Sequence, residues 1–181
     1  MKVTDQLKDE HQGIKLMLQI LEKICTKIEA GDTIIKAHLE SIIEFFRIFV
    51  DKCHHGKEED LLFPTMLQAG IPKESGPFSV ILTEHQIGRG FISALSEAVD
   101  TYPAQSTRHV VLNNTKDYMA LLIQHMDREE TILYPLADHY LPQDKQNTLV
   151  KQFNEFEHTR IGAGRHEEFH RLLDYLKAAY L

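Results

Sequence analysis

The residues best suited to chemistry in this chain are histidines and glutamates that recur in two matching segments. Residues 54–64 and 125–135 both read His-x-x-[Lys/Arg]-Glu-Glu-x-[Leu/Ile]-Leu-[Phe/Tyr]-Pro, 71 positions apart (125 − 54). A Glu-His-Gln triplet precedes each copy, at residues 10–12 and 84–86. The chain is therefore predicted to consist of two copies of one helical hairpin, related by a pseudo-twofold axis.

Each long segment places an imidazole and a carboxylate four residues apart, His54 with Glu58 and His125 with Glu129. Residues at this spacing lie on one face of a helix. Around a pseudo-twofold axis the donors of both halves would meet at one central point, which predicts a binuclear metal site. Neutral imidazole suits iron, zinc, copper or nickel, a carboxylate can bridge two cations, and the mixture without thiolates favours iron.

The apolar stripes of the helices indicate which of these donors point inward. At about 100° per residue, His125 and Glu129 fall on the apolar stripe of their helix, whereas His55 turns away from His54 and is the weaker candidate. Burying several imidazoles and carboxylates is costly unless cations compensate their charge. The candidate metal ligands are His11, His54, Glu58, His85, His125 and Glu129.

The elements that must position these residues are predicted from helical periodicity, and almost no segment alternates as a strand would. Helices are expected at about residues 4–29, 33–68, 78–101, 104–140 and 143–179, with a break in the last at residues 162–164. Asp32 is predicted to cap the second helix. The expected fold is all-α, an antiparallel up-down four-helix bundle over residues 1–141 with an additional C-terminal helical extension, residues 142–181, packed on it.

Composition excludes several classes of function. The chain of 181 residues has a net charge of −7, which argues against nucleic acid or an anionic membrane as partner. Its richest apolar stretch, residues 42–50, is broken by Glu44 and Arg47, and the N-terminus has no apolar segment suited to export. Two cysteines, Cys25 and Cys53, fit a reduced cytoplasm, so a cytoplasmic location is expected. A homo-oligomer is compatible with all of this.

The doubled motif and the Glu-His-Gln triplets resemble the hemerythrin-like family, also called the HHE cation-binding domain family. The resemblance spans roughly residues 4–141. It implies a hemerythrin-like bundle that holds two non-haem iron ions, with zinc or another divalent cation able to take their place in a crystal. It further implies iron ligands at the six candidate residues, with Glu58 and Glu129 as bridges.

The chain departs from the oxygen-carrying hemerythrins at two positions. Arg89 stands where those proteins have a second histidine on the third helix, and Glu129 follows its histidine by four residues where they have an aspartate at five. With fewer nitrogen donors the irons would keep more open positions, which favours reaction over plain storage. His55 could supply the missing nitrogen if the second helix is rotated or bent.

The resulting functional hypothesis is a non-haem di-iron protein that binds or senses a small ligand, namely dioxygen, nitric oxide or peroxide. One alternative is an oxidoreductase that turns over peroxide or nitric oxide at the same irons, with no separate catalytic residue assigned. Another is a protein that stores or senses iron and changes its fold when iron is lost.

The remaining candidates are interpreted as structural or exposed residues. Cys53 is expected to be a small core residue and not a thiolate ligand. Arg89 and Arg160 could attract an anionic ligand if they reach the end of the bundle. The other histidines are expected at the surface: His38, His109, His139, His158, His166 and His170.

Overall fold

The computed structural model describes residues 2–73 and 76–181, and within these ranges all regular structure is helical. Six helices follow one another in these described ranges. Helix α1 is Val3–Glu29, α3 is Phe78–Asp100, α5 is Gln143–Arg160 and α6 is Arg165–Tyr180.

Two helices change pitch along their length. Helix α2 covers residues 36–68, with α-helical Lys36–Phe45, π-helical Phe46–His55 and Glu58–Leu62, and α-helical Phe63–Gln68. Helix α4 covers residues 105–140, with Gln105–Arg128, π-helical Glu129–Leu133 and Tyr134–Tyr140.

Helices α1 to α4 form the antiparallel bundle that the sequence predicts. Contacts between α1 and α4 run from Thr4 with Asp138, through Lys15 with Glu130, to Glu29 with Lys116, so the two helices run in opposite directions. Helices α5 and α6 then pack on α1 and α2. The predicted break in the C-terminal segment is present, because Gly162 and Gly164 both adopt positive φ between α5 and α6. No helix in the described ranges is both long and apolar enough to cross a membrane.

The start of the second helix differs from the prediction. Helix α2 begins at Lys36 after Ile35, and Asp32 does not cap it. The connector is held in a non-helical conformation instead, because Ile34 is buried and its N–H donates to the Tyr102 hydroxyl over 3.0 Å. Burial of one apolar side chain and its backbone bond therefore outweighs the capping preference of Asp32.

Both copies of the repeated motif contain a π-helical turn. The N–H of Phe63 bonds to the carbonyl of Glu58, and the N–H of Tyr134 bonds to the carbonyl of Glu129, five residues back in each case. A proline follows each of these residues, at positions 64 and 135. Since proline has no N–H and its ring crowds the carbonyl four residues earlier, a wider turn relieves that clash within a continuous helix.

The buried core is divided by a polar layer. One apolar cluster holds residues such as Ile14, Val50 and Leu122, and the other holds residues such as Leu7 and Leu62. The candidate ligands lie between the two clusters on all four bundle helices. The bundle therefore places its histidines and glutamates mid-way along the core, away from solvent.

Candidate metal centre

The structure brings all six predicted ligands together, and a seventh residue, His55, lies among them. Each of the seven is at most 5% exposed. The Nε2 atom of His11 lies 3.1 Å from Nε2 of His54 and 3.2 Å from Oε2 of Glu129. Across the centre, Nε2 of His125 lies 2.9 Å from Oε1 of the same Glu129. One carboxylate thus faces imidazoles from both halves of the chain.

The donors form three sets, two of which share this glutamate. In each set one ligand atom per residue can be chosen so that all lie within 4.8 Å of one another. The first set contains His11, His54 and Glu129. The other two sets both contain His85 and His125. One of them adds His55, and the other adds Glu58 and Glu129. Two adjacent cations bridged by a carboxylate fit this arrangement.

The polar atoms of the centre are poorly satisfied by the protein itself. Within the described part of the chain, several buried atoms have no hydrogen-bond partner: Oε2 of Glu58, Oε1 of Glu129, Nε2 of His85, Nε2 of His125 and both ring nitrogens of His55. A buried unpaired polar atom is costly, and most such atoms in proteins have a partner. Cations coordinated by these atoms would remove the cost, so the donor set fits a metal pair.

The comparisons with known proteins agree with this geometry. The family model described as the hemerythrin HHE cation-binding domain matches residues 2–137. This chain belongs to the hemerythrin HHE family. The resemblance seen in the sequence is thereby confirmed, and so are the all-α fold and a metal-binding role for its His/Glu cluster.

Curated relatives of this hemerythrin-like chain carry little functional description. An uncharacterised protein of Mycobacterium tuberculosis and another of Mycobacterium bovis are each 26% identical over 160 residues. These matches cover 87% of this chain and 62% of each relative, so the chain spans less than two thirds of their length. The iron-sulfur cluster repair protein YtfE of an Enterobacter species is 30% identical over 88 residues, 46% of this chain and 40% of that protein. No solved structure matches the chain significantly.

A second layer of glutamates holds the imidazoles of this HHE centre. Glu10 on α1 accepts from Nδ1 of His54 on α2 over 2.8 Å, and Glu84 on α3 pairs in the same way with His125 on α4 over 3.0 Å. Both glutamates come from the Glu-His-Gln triplets. Such partners fix the tautomer and orientation of the ring, leaving Nε2 free to face the metal.

The second glutamate of each Glu-Glu pair does the same for the other two histidines. Glu130 lies 2.8 Å from Nδ1 of His11, and Glu59 lies 2.6 Å from Nδ1 of His85. Each of these contacts joins one half of the repeat to the other. Four histidines therefore have one orienting carboxylate each, arranged with the pseudo-twofold symmetry of the sequence.

The basic residue of each motif completes the network. Lys57 donates to Glu10, and Arg128 donates to Glu84. The two sites differ in their surroundings, because Lys57 is 2% exposed and also donates to Glu157 of α5 over 2.9 Å, whereas Arg128 is 31% exposed. The C-terminal extension thus covers one half of the network and leaves the other open.

Neighbouring carboxylates favour the charged form of two histidines of the centre. Burial alone lowers the pKa of His85, but the neighbouring carboxylates of Glu129, Glu58 and Glu59 outweigh it and raise the pKa to about 11. Burial also opposes the charged form of His125, yet Glu129 and Glu84 raise its pKa to about 9. Metal cations would replace this positive charge, and their binding would release protons.

His55 is electrostatically different from these residues. Burial, followed by the neighbouring His85 and His125, lowers its pKa well below the usual range. Its ring stacks on that of His85 with 3.8 Å between centroids. A neutral imidazole with unpartnered nitrogens is the form that binds a metal. The expectation that His55 points away from the centre is therefore wrong, because π-helical turns rotate successive residues by less than the about 100° assumed for an α-helix.

The two halves also differ at a tyrosine that periodicity in the sequence does not single out. Tyr134 is fully buried, and its hydroxyl donates to Oε1 of Glu58 over 2.8 Å and lies 3.3 Å from Nε2 of His11. The equivalent residue in the first copy is Phe63, which has no hydroxyl. The [Phe/Tyr] position of the motif is visible in the sequence, but only the fold shows that one of the two reaches the centre.

Other sequence expectations have mixed outcomes. Cys53 is buried in the core as predicted, and burial raises its pKa to about 12, which disfavours a thiolate ligand. His38 is not a surface residue, since it is buried and its ring nitrogens contact the hydroxyls of Tyr180 at 2.7 Å and Tyr175 at 3.1 Å. Two aromatic hydroxyls of α6 thus satisfy the imidazole.

The roles of the tail and of the two arginines follow from their contacts. His166 is only partly exposed, and its Nδ1 lies 3.1 Å from Glu157, contrary to the surface expectation. Arg89 is held by Asp51 and Glu59, so its charge is compensated. The histidines found exposed as expected are His109, His139, His158 and His170, and Arg160 is exposed and pairs with Asp60.

Proposed function

We propose that this chain is a non-haem di-iron protein that takes up a small ligand, namely dioxygen, nitric oxide or peroxide, at the His/Glu centre. The observation that carries the proposal is the buried set of seven donors around Glu129, several of whose atoms lack protein partners among the described residues. The donors are nitrogen and oxygen with no thiolate, a set that suits iron. A pair of iron ions would supply redox and Lewis-acid chemistry at this point.

We infer that His11 and His54 hold one ion and that His55, His85 and His125 hold the other. Glu129 contacts both sides and is the better-supported bridge, with Glu58 as the second. The protein's part in the chemistry is to keep four imidazoles oriented through their carboxylates, to exclude bulk water, and to present the Tyr134 hydroxyl as a hydrogen-bond donor at the centre.

Metal analysis of three variants tests this assignment. We expect His125→Ala or Glu129→Ala to lose most bound iron when the protein is purified anaerobically from iron-replete cells. His109→Ala is the matched control, because His109 is exposed on the same helix as His125. Equal iron in all three variants would defeat the proposal.

Optical spectra separate ligand binding from turnover. A band that appears with dioxygen and disappears under vacuum supports reversible binding. Consumption of peroxide or nitric oxide by the iron-loaded protein supports an oxidoreductase instead. Either outcome is compatible with the same donor set, so the metal analysis comes first.

A second candidate function is iron handling, which the likeness to the iron-sulfur cluster repair protein favours. In that case loss of iron should loosen helices, since a metal-free centre leaves buried polar atoms unpaired. Limited proteolysis with and without iron tests it, and equal resistance of both forms would exclude it.

We further infer a cytoplasmic location from two buried cysteines that form no disulfide.

A further inference from the structure

A cavity of about 200 Å³ borders the three-histidine side of the centre. It opens between α2, α3 and α4, and its inner end is formed by the rings of His55, His85 and His125. The ring nitrogens of His55 are buried and have no hydrogen-bond partner among the described residues. The cavity is therefore a space next to the proposed metal pair that the protein itself does not fill.

Beside its histidines and charged residues, the cavity has an apolar wall. This wall is formed mainly by Phe46 on α2, Ile92 on α3, and Tyr118, Leu121 and Leu122 on α4. A space of about 150 Å³ lined by apolar side chains suffices to bind a molecule such as benzene. A diatomic molecule would leave most of this space empty.

A glycine helps to keep the cavity open. A Cβ atom at Gly88 would lie 3.3 Å from the Tyr118 ring and 3.8 Å from Leu121. A larger side chain at this position would have to extend into the cavity or displace its wall. Gly90, two residues later on the same helix, has nothing within 4 Å of such a Cβ atom and is exposed.

The charged residues around the cavity balance one another. Two arginines, Arg47 and Arg89, and two carboxylates, Asp51 and Glu84, line it. Arg89 donates to Asp51 over 2.7 Å, so it does not offer a free positive charge to a ligand. An anion gains little in such a balanced field, whereas a neutral molecule meets no electrostatic penalty.

We propose that this cavity binds a neutral, apolar organic molecule of about the size of one benzene ring, against the imidazoles of His55 and His125. The centre would then act on, or respond to, an organic ligand in addition to diatomic molecules. The role of the metals in this proposal rests on the proposed function, but the binding of the molecule to the cavity does not.

Fluorobenzene is the probe for the test, with ¹⁹F NMR titration of the zinc-loaded full chain as the measurement. We expect saturable binding with a Kd of about 1 mM or below, as for a small ligand in an apolar cavity. Gly88→Val should weaken binding roughly tenfold or more, because a filled interior tolerates little overlap. Gly90→Val is the matched control and should bind as the wild type does, since it adds the same side chain to the same helix outside the cavity.

A second variant covers the case in which Gly88→Val does not fold. The chain contains no tryptophan, so Leu121→Trp fills the cavity and adds a single fluorophore whose emission reports the folded state. This variant should fold, retain zinc and fail to bind fluorobenzene. Equal affinity in the wild type, Gly88→Val and Leu121→Trp would overturn the proposal, as would no binding to the wild type.

The same samples separate this inference from the proposed function. Zinc and iron content are measured on each variant before titration. Two bound metals with no fluorobenzene binding would refute the organic ligand alone. Fluorobenzene binding without metal loading would refute the metal centre and leave the cavity site intact.

Discussion

Replacing Lys57 by methionine tests whether the two halves of the network are held with different strength. Lys57 is 2% exposed and donates to Glu10, which is itself buried, and to Glu157. Methionine fills a similar volume but leaves the carboxylate of Glu10 without its cation. Removing one partner of a buried ion pair typically costs about 3–5 kcal/mol. Because Glu10 keeps its bond to His54, we expect the lower end, about 3 kcal/mol.

The equivalent change in the second copy is Arg128→Met. Arg128 is 31% exposed and contacts Glu84, whose carboxylate reaches some solvent. Water can therefore solvate both groups, and the expected loss is about 1 kcal/mol or less. The pair of variants forms a matched comparison, because the two residues occupy the same position of the repeated motif.

The assay is urea unfolding followed by circular dichroism at a fixed concentration of free metal, since metal binding adds to stability. In thermal melts the Lys57→Met variant should lose about 6–12 °C and Arg128→Met less than about 4 °C, at roughly 2–4 °C per kcal/mol for a chain of this length. Equal losses in the two variants would show that burial by the C-terminal extension does not strengthen the contacts of Lys57.

Three further predictions concern single residues. Glu84→Gln should weaken metal affinity about tenfold in a chelator competition, because an amide orients an imidazole less firmly than a carboxylate; unchanged affinity would contradict the orienting role. Tyr134→Phe should cost about 1–3 kcal/mol of unfolding free energy, since it leaves a buried carboxylate oxygen unbonded, and exposed Tyr140→Phe should cost nothing measurable. The ion pair with His166, at 3.1 Å, and the charge of Lys57 lower the pKa of Glu157 to about 2, while the same pair raises the pKa of His166. The contribution of Glu157 to the free energy of unfolding is present above its unfolded pKa of about 4.3 and is lost as the pH falls towards 2. The contribution of His166 is present below its unfolded pKa of about 6.5 and is lost as the pH rises through its raised pKa. Glu157→Gln should therefore cost more stability at pH 5.5 than at pH 8.5, and the reverse order in urea titrations would contradict this.

The repeat in the sequence predicts most of the architecture. It places His54, Glu58, His125 and Glu129 on helices that the fold indeed brings together, because a duplicated hairpin can close around only one central layer. The predicted helix boundaries agree with the structure to within a few residues except at Asp32. There the tertiary contact of Ile34 decides the helix start, and a contact between distant segments cannot be derived from local capping preference.

Two parts of the centre are not assigned by regular helical periodicity, although His55 is a candidate if the second helix is rotated or bent. His55 is expected to point outward because an angle of about 100° per residue holds only for α-helices, and π-helical turns in α2 change the phase. Tyr134 follows His125 by nine residues, which at about 100° per residue predicts the opposite side of the helix, and the π-helical turn Glu129–Leu133 changes the phase before it. Its ring packs among apolar residues and its hydroxyl reaches Glu58. Aromatic side chains of this kind carry a polar group at the far end, which periodicity cannot detect.

The basic position of the motif shows what a repeat indicates beyond a set of ligands. Lys57 and Arg128 have no place on an apolar stripe, yet both copies keep a cation there, and each one is bonded to a Glu-His-Gln glutamate. Agreement between two copies within one chain is therefore a sign of a shared contact. The identity of the partner depends on how the helices pack, because Glu10 and Glu84 lie more than 40 residues from the cations that they bind.

The departures from symmetry have a chemical consequence for the proposed metal pair. The residue equivalent to His55 in the second copy of the repeat is Met126, and the residue equivalent to Tyr134 in the first copy is Phe63. One ion would thus have three imidazoles and border the cavity, and the other would have two imidazoles, a nearby phenol and a network that Lys57 joins to Glu157 of α5. Since fewer nitrogen donors leave more open positions, a small ligand should bind the two-histidine ion, while the cavity gives an organic molecule access to the three-histidine side. The repeat thus accounts for the shared centre, and the differences between its two halves would give each ion of the proposed pair a different environment.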